Sequence, residues 1–331
     1  MNEHKALGLY SGGLDSILSS MIIKEQGIEV HLLNFVSPFF NKIKKIPQGM
    51  FLHEYPLGDD YIKEVISEPI FGKGASLNAC VDCHIFMLKK AKTIMKEIGA
   101  DFVFTGEVVG QRPMSQTKKA LHIVEQMSGL EGYLVRPLSA KLLKPTVPEI
   151  NGILDRDKLL NMSGRGRQRQ RELAKQLGVL SYPQPAGGCR FTDPNIISRS
   201  YLIEKKKDLD WLHLSLVLLG RHFCLDNGLY LIVSRNDDEN DLIRSYASKG
   251  CLLTGFNNEH SVVALLFDIN TDNLSLDAGI LSLCGSIVSK YLRKPEDTQD
   301  NYKVEFLFKD KLIESGSFKP AIDEILKKYL L

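Results

Sequence analysis

The chain has 331 residues, 44% hydrophobic and 25% charged, with a formal net charge of +2. That balance is ordinary for a folded globular protein and excludes collagen-like, low-complexity and highly charged disordered chains. No apolar run reaches bilayer-spanning length, and six cysteines in so long a chain do not make a secreted disulfide framework, so a reducing cytoplasm with no membrane partner is expected. The length predicts two domains. The first residues lead directly into a strand, so no signal peptide is expected.

Residues 6–10 read as that strand and 17–25 as a helix. Between them stand Ser11, Gly12, Gly13, Leu14, Asp15 and Ser16. A polar, glycine-paired turn from strand to helix exposes backbone N–H groups, an anion nest suited to phosphate. The two glycines let the backbone approach the anion closely, and Ser11 and Ser16 add hydroxyl donors. No Gly-Lys-Ser/Thr ending follows, so this is not the P-loop of kinases and GTPases. For the residues alone, an ordinary capped strand–helix turn is the alternative. Further strands are predicted over 27–35, 50–54 and 101–107, with helices over 60–66 and 80–98. Strands alternating with helices predict an α/β domain with a parallel sheet covered on both faces. Ligands of such sheets bind at carboxyl ends of strands, where Ser11, Asn34 and Thr105 fall.

Cys80 and Cys83 open the 80–98 helix three residues apart, so they face one way. A helix start favours negative charge and hence thiolates. Cys189 ends the Pro- and Gly-rich stretch 181–189, the kind of loop that often carries function. Cys224, Cys251 and Cys284 have apolar or strand-like surroundings and read as structural. Three readings of the first three cysteines stay open: buried thiols plus a loop thiol, a pair that passes persulfide sulfur, or three thiolates on a [4Fe–4S] cluster with one iron open. Zinc is disfavoured because no second Cys-x-x-Cys follows. His84 reads as a surface residue of the helix start.

The charge is uneven. Residues 136–207 hold 15 Lys or Arg against 6 Asp or Glu, so the remainder is net acidic by seven. Arg165, Arg167, Arg169 and Arg171 are expected to begin a helix that runs on through Leu173, Ala174 and Leu177. Pairs 165/169 and 167/171 would form adjacent stripes for phosphate contacts, the alternative being a solvated face. Lys141, Lys144 and Lys205 to Lys207 would extend the track. Beyond residue 193 the pattern becomes α+β, with a hairpin over 220–233 turning at Asn227-Gly228, strands at 251–254, 262–267 and 303–308, and a helix over 278–291. The domain boundary is set at 194/195.

Residues 11–16 match the SGGxDS signature and so resemble the PP-loop ATP pyrophosphatases. Thr105-Gly106-Glu107-Val108-Val109-Gly110-Gln111, followed by Ser115-Gln116-Thr117 and Arg136-Pro137-Leu138, resembles the 4-thiouridine synthetase pattern. The stretch from Asn78 to Cys83 is similar to the cysteine motif of tRNA 2-thiouridylases, with Cys80 where those usually carry Asp. One Cys-x-x-Cys with the distant Cys189 is similar to the cluster-dependent tRNA thiolases. These likenesses cover about residues 5–195. They imply a PP-loop fold and an ATP-dependent tRNA sulfurtransferase that adenylates a uridine carbonyl and replaces its oxygen with sulfur. They further imply ATP at Ser11 to Ser16 with Asn34, Thr105, Gly106 and Gln111, and Mg²⁺ near Asp15. Catalysis would fall to Asp15, Cys80, Cys83 and Cys189, and the three cysteines would be the cluster ligands. RNA would meet Lys141, Lys144 and the four arginines. Neither the family's N-terminal RNA-capturing extension nor a rhodanese-like module is seen, so sulfur is expected from a cysteine desulfurase, a persulfide carrier or inorganic sulfide. Residues 195–315, through Arg221, Asp226 to Gly228, Arg235-Asn236, Asn240-Asp241 and the later helix at Ser286 to Tyr291, resemble the RNA-binding module of ribosome quality-control proteins related to fibronectin-binding proteins. The rival activities are adenylation of a small-molecule carboxylate and a non-catalytic RNA-binding adaptor.

Overall fold

The computed structural model describes residues 4–37, 40, 43, 45–74, 78–179, 181–182, 190–200, 210–257, 260–269, 274–292 and 300–331. The chain falls into two compact units, Met1–Asp193 and Pro194–Leu331. Cys189, most of the stretch that ends on it, and Lys205 to Lys207 lie outside the described residues. Among the described residues no helix is long and apolar enough to cross a membrane.

The first unit runs β1 (Lys5–Leu9), α1 (Leu14–Lys24), β2 (Glu29–Val36), β3 (Phe51–Pro56), α2 (Cys80–Glu97), β4 (Phe102–Phe104), α3 (Lys118–Ser128), β5 (Leu134–Val135) and α4 (Gln168–Gln176). Its sheet is parallel throughout, in the order β3-β2-β1-β4-β5. Central β1 is paired on both sides, with Leu7 between His31 and Val103. Ala6 and Leu7 are wholly buried, as a strand covered on both faces requires. Leu18, Ile22 and Ile23 of α1 pack with Val30, Leu32, Phe102 and Phe104 in the core. The strand order changes direction between β1 and β4. In an open parallel sheet that switch leaves a crevice outside the carboxyl ends of those two strands.

Thr117 starts α3 by accepting from Ala120 N at 3.1 Å, and Gly129, at φ 68°, ends it. β5 is only two residues long, too short for any periodicity to show. The arginine run differs from expectation. Helix α4 begins at Gln168 with Arg167 as its cap residue, so Arg165 precedes the helix. Gly164, at φ 82°, and Gly166 hold the lead-in out of helical geometry. The 165/169 stripe therefore does not form, whereas Arg171 N bonds Arg167 O at 3.1 Å within the first turn.

The second unit runs β6 (Arg221–Cys224), β7 (Leu229–Val233), α5 (Asp237–Arg244), β8 (Cys251–Phe256), β9 (Ser261–Asp268), α6 (Ala278–Leu292), β10 (Tyr302–Phe308), β11 (Lys311–Phe318) and α7 (Asp323–Tyr329). Six antiparallel strands lie in the order β11-β10-β8-β9-β7-β6. Cys284, Ile287, Val288 and Leu292 of α6 pack on Leu253, Ala264, Val304 and Phe306 of the sheet. Cys251 and Cys284 are buried, and burial pushes the Cys251 thiol up to about 12, in keeping with structural cysteines. The motif residues of this unit serve its own fold. Arg221 donates to Ser234 O and lies over the Tyr291 ring, and Arg235 pairs with Glu239. Asn236 caps α5, and Asn240 bridges to Ser261 O and Val263 N.

His222 is buried with both ring nitrogens engaged, Nε2 donating to Leu219 O at 2.7 Å and Nδ1 accepting from the Tyr230 hydroxyl at 2.9 Å. Burial, with the charges of Arg199 and Arg235, brings it down to about 3. The unfolded chain then binds a proton near pH 6.5 that the folded chain refuses until about pH 3. Its contribution to stability is complete above pH 6.5 and is lost as pH falls toward 3. Urea midpoints of the protein should therefore fall across that window, with a shallower dependence in His222→Leu. Equal slopes would mean that the folded ring carries a charge.

Candidate nucleotide and sulfur site

The carboxyl end of β1 feeds the loop Ser11 to Gly13 and the first turn of α1. Gly12 sits at φ 69°, the left-handed conformation that a side chain resists. Gly13 is the cap residue of α1, so no side chain satisfies the first N–H groups of the helix. Ser16 Oγ donates to Gly13 O at 2.8 Å and lies 3.4 Å from Ser11 Oγ, which closes the loop on itself. A β-carbon on Gly106 would lie 2.7 Å from the Asp15 carbonyl carbon and the Ser16 nitrogen. Glycine there lets the segment after β4 touch the helix start. These backbone groups face one cavity of about 330 Å³, lined among others by Ser11, Gly13 to Ser16, Asn34, Thr105, Gly106 and Gln111. Its size is that of a small-molecule site. The residues expected from three strand ends thus meet.

Cys80 and Cys83, on the first turn of α2, line the same cavity. Cys83 Sγ lies 3.3 Å from the Tyr61 hydroxyl, and Cys80 Sγ accepts from Asn78 Nδ2 at 3.6 Å. Between them Asp82 turns away and accepts from the Ile70 and Phe71 amides, which pins the segment before the helix.

His84 corrects the surface expectation. It lines the cavity, and its Nδ1 lies 2.8 Å from Glu107 Oε1. Glu107 is buried, accepts from Thr105 Oγ1 at 2.9 Å and from Arg136 Nε at 3.1 Å. Burial alone would raise its pKa, but the charges of Arg136 and His84 and the bonds from His84 and Thr105 outweigh that and hold it at about 2. Arg136, also buried, further donates to Glu125 Oε2 and Leu121 O. Helix α2, the strand β4 exit and α3 are thereby joined through one ionic group. Glu107 and Arg136 are visible in the sequence only as motif letters.

Asp15 Oδ2 accepts from Gln111 Nε2 at 2.7 Å, and Gln111 Oε1 accepts from Gln170 Nε2 at 2.9 Å. Asp15 Oδ1 is buried with no hydrogen-bond partner among the described residues. Arg167 lines the cavity, while Arg165, Arg169 and Arg171 are exposed. Arg169 reaches Asn161 Oδ1 at 2.7 Å. Lys141 is exposed and donates to Asp157 O, and Lys144 is exposed.

Residues 1–141 match the family model described as "Thiamine biosynthesis protein (ThiI)". "Probable tRNA sulfurtransferase" of Thermococcus kodakarensis is 32% identical over 145 residues, 41% of this chain and 37% of that protein. The protein of the same description from Alkaliphilus metalliredigens is 33% identical over 144 residues, 41% of this chain and 36% of that one. This chain therefore matches little more than a third of the length of these relatives. A solved 4-thiouridine synthetase–RNA complex with bound ATP aligns at a TM-score of 0.34 and 20% identity, over 54% of this chain and 52% of that one. The ThiI-family match takes in the loop, Cys80, Cys83, Glu107, Gln111 and Arg136. The arginine run and Cys189 lie beyond it.

The donors around this cavity fit two inorganic groups to different degrees. The unpartnered Asp15 Oδ1 is a hard anionic oxygen beside a phosphate-type nest, which suits Mg²⁺ shared with a nucleotide. Cys80 and Cys83 offer two soft sulfurs to one cavity, as cluster ligation demands. Among the described residues no group of three or more His, Cys, Asp or Glu is arranged to hold a metal, and Cys189 is outside them.

Proposed function

We propose that the protein is an ATP-dependent tRNA sulfurtransferase that converts a uridine to thiouridine. The observation that carries this reading is the shared cavity: an uncapped phosphate-type helix start and two thiols of α2 open onto one space. The relatives' description and the family match support the same chemistry.

ATP would lie with its phosphates on Ser11 to Ser16 and with Asn34, Thr105, Gly106 and Gln111 around it. Helix-start N–H groups attract the triphosphate and stabilise the departing pyrophosphate. Mg²⁺, held by Asp15, would neutralise phosphate charge. The uracil carbonyl oxygen attacks the α-phosphorus, the bond to pyrophosphate breaks, and the oxygen becomes part of an adenylate leaving group. Sulfur then bonds to that ring carbon and AMP departs with the oxygen. The uridine must leave its stack to present the carbonyl. By the persulfide route one of Cys80 and Cys83 would take the outer sulfur of a donor persulfide, the donor leaving as a thiol. That sulfur would pass to the activated carbon as a Cys80–Cys83 disulfide closes. Sulfide would serve only the cluster route. A [4Fe–4S] cluster on Cys80, Cys83 and Cys189 would supply an open iron position for inorganic sulfur. A cysteine desulfurase, a persulfide carrier or sulfide itself would deliver it, in the cytoplasm. The second unit would add RNA contacts through surfaces other than its motif residues, which the fold occupies.

The test is direct. Purified protein, Mg·ATP, sulfide and unmodified tRNA should yield thiouridine together with equal amounts of pyrophosphate and AMP. Pyrophosphate release dependent on a carboxylic acid instead of tRNA would favour the small-molecule rival, and no release at all the adaptor. A further expectation concerns the basic run. Neutralising Arg165, Arg167, Arg169 and Arg171 together should weaken tRNA binding and reduce its log–log salt slope by about 3, with ATP affinity nearly unchanged. An unchanged slope would make this run an ordinary solvated surface.

A further inference from the structure

The RNA role proposed for α4 leaves one of its residues unexplained. Gln170 stands among the arginines in sequence, yet it is only 1% exposed. With Ala174 it forms the buried face of α4, and Ala174 packs in the same core as α1. A carboxamide placed there needs a partner, and its partner is Gln111.

The direction of the resulting relay is forced. The carboxylate of Asp15 only accepts, so Gln111 turns its amide nitrogen to Oδ2. The carbonyl oxygen of Gln111 then faces residue 170 and requires a donor. Gln170 Nε2 supplies it at 2.9 Å. Two neutral side chains thus fix the orientation of one carboxylate, and their other end is rooted in a nine-residue helix. A helix that short depends on its packing to persist. Whatever steadies α4 therefore steadies Gln170, Gln111 and Asp15 in turn.

We propose that Gln170 is a positioning residue that ties the seating of α4 to the Asp15 carboxylate, so that RNA phosphates on the exposed arginines of α4 and Mg·ATP at the loop raise each other's affinity. This rests on the function proposed above. The arginines at 169 and 171 face out while Gln170 faces in, so one helix carries both contacts. Linkage makes the effect reciprocal: the factor by which tRNA tightens nucleotide equals the factor by which nucleotide tightens tRNA.

The experiment measures the affinity of the full-length protein for Mg²⁺ with α,β-methylene-ATP, which resists cleavage, with and without saturating unmodified tRNA. For the wild type we expect about tenfold tighter nucleotide binding when tRNA is present. Gln170→Met keeps the volume and removes the donor. It should weaken nucleotide binding about three- to tenfold without tRNA and bring the tRNA effect close to unity. Gln170→Glu, which replaces the donor by an acceptor, should lose at least as much. The double variant Gln111→Met/Gln170→Met should be no worse than Gln111→Met alone, since one acts through the other. Melting curves establish that each variant is folded. Wild-type nucleotide affinity with a wild-type tRNA effect in Gln170→Met overturns the proposal, and so does a double variant whose losses simply add. Should tRNA bind to no form of the protein, the sulfurtransferase reading and the RNA half of the proposal fall together, and non-additive losses in the double variant still establish Gln170 as the support of Asp15.

Discussion

Asp15→Ala is expected to reduce tRNA-dependent pyrophosphate release by at least about a hundredfold while the protein stays folded. The carboxylate stands at the first turn of α1, with one oxygen held by Gln111 and the other buried without a partner among the described residues. Removing it deletes the carboxylate on the helix start beside the phosphate-type nest and leaves the Gln111 amide without its acceptor. Packing should survive, because Leu14, Ile17 and Leu18 carry the core contacts of this helix. Melting curves like the wild type's together with lost pyrophosphate release are the expected pair. Release at the wild-type rate would remove Asp15 from the chemistry and with it the proposed metal position.

Cys80→Ser and Cys83→Ser should each abolish thiouridine formation, while Mg·ATP binding stays within about twofold of the wild type. Hydroxyls keep the size of the thiols but neither carry persulfide sulfur nor hold a cluster. Iron and acid-labile sulfide in anaerobically purified protein separate the two routes. The cluster route requires both in the wild type and their loss in either variant and in Cys189→Ser. Colourless wild-type protein, free of iron and still able to thiolate tRNA, would end the cluster proposal and leave the persulfide route. A serine variant with full thiolation would remove that cysteine from either scheme.

Much of the nucleotide side was legible because it depends on local pattern. The loop from Ser11 to Ser16, the strands around it and the first turn of α2 are contiguous in sequence, and each has its own period or turn chemistry. Asn34 and Thr105 could be placed with them because parallel strands end on one side of the sheet. The ionic group of His84, Glu107, Arg136 and Glu125 was not legible, since it joins residues up to 52 positions apart through tertiary packing. Gln170 was hidden for the opposite reason. Four neighbouring arginines made its stretch read as stripes for phosphate contacts, and only the helix start at Gln168 turns it inward. The same shift took Arg165 off the helix. In the second unit, α5 was missed because Asn236-Asp237-Asp238-Glu239 has the composition of a turn, although Asn236 accepting from Glu239 N is a helix cap. Strand β11 was missed because it is an edge strand with little buried surface and no apolar alternation.

The absence of a capping side chain at Gly13 has a consequence for the empty protein. Most helices satisfy their first amides with a serine, threonine or aspartate and thereby gain about 1 kcal/mol. With glycine in that place the folded chain forgoes only a few tenths of a kcal/mol, and its first amides stay open to water or to an anion. Under the proposed function the melting temperature would rise with nucleotide: a hundredfold excess over Kd adds about 2.7 kcal/mol to the folded state. Protein without nucleotide would therefore be cut by added protease faster than the same protein with Mg·ATP.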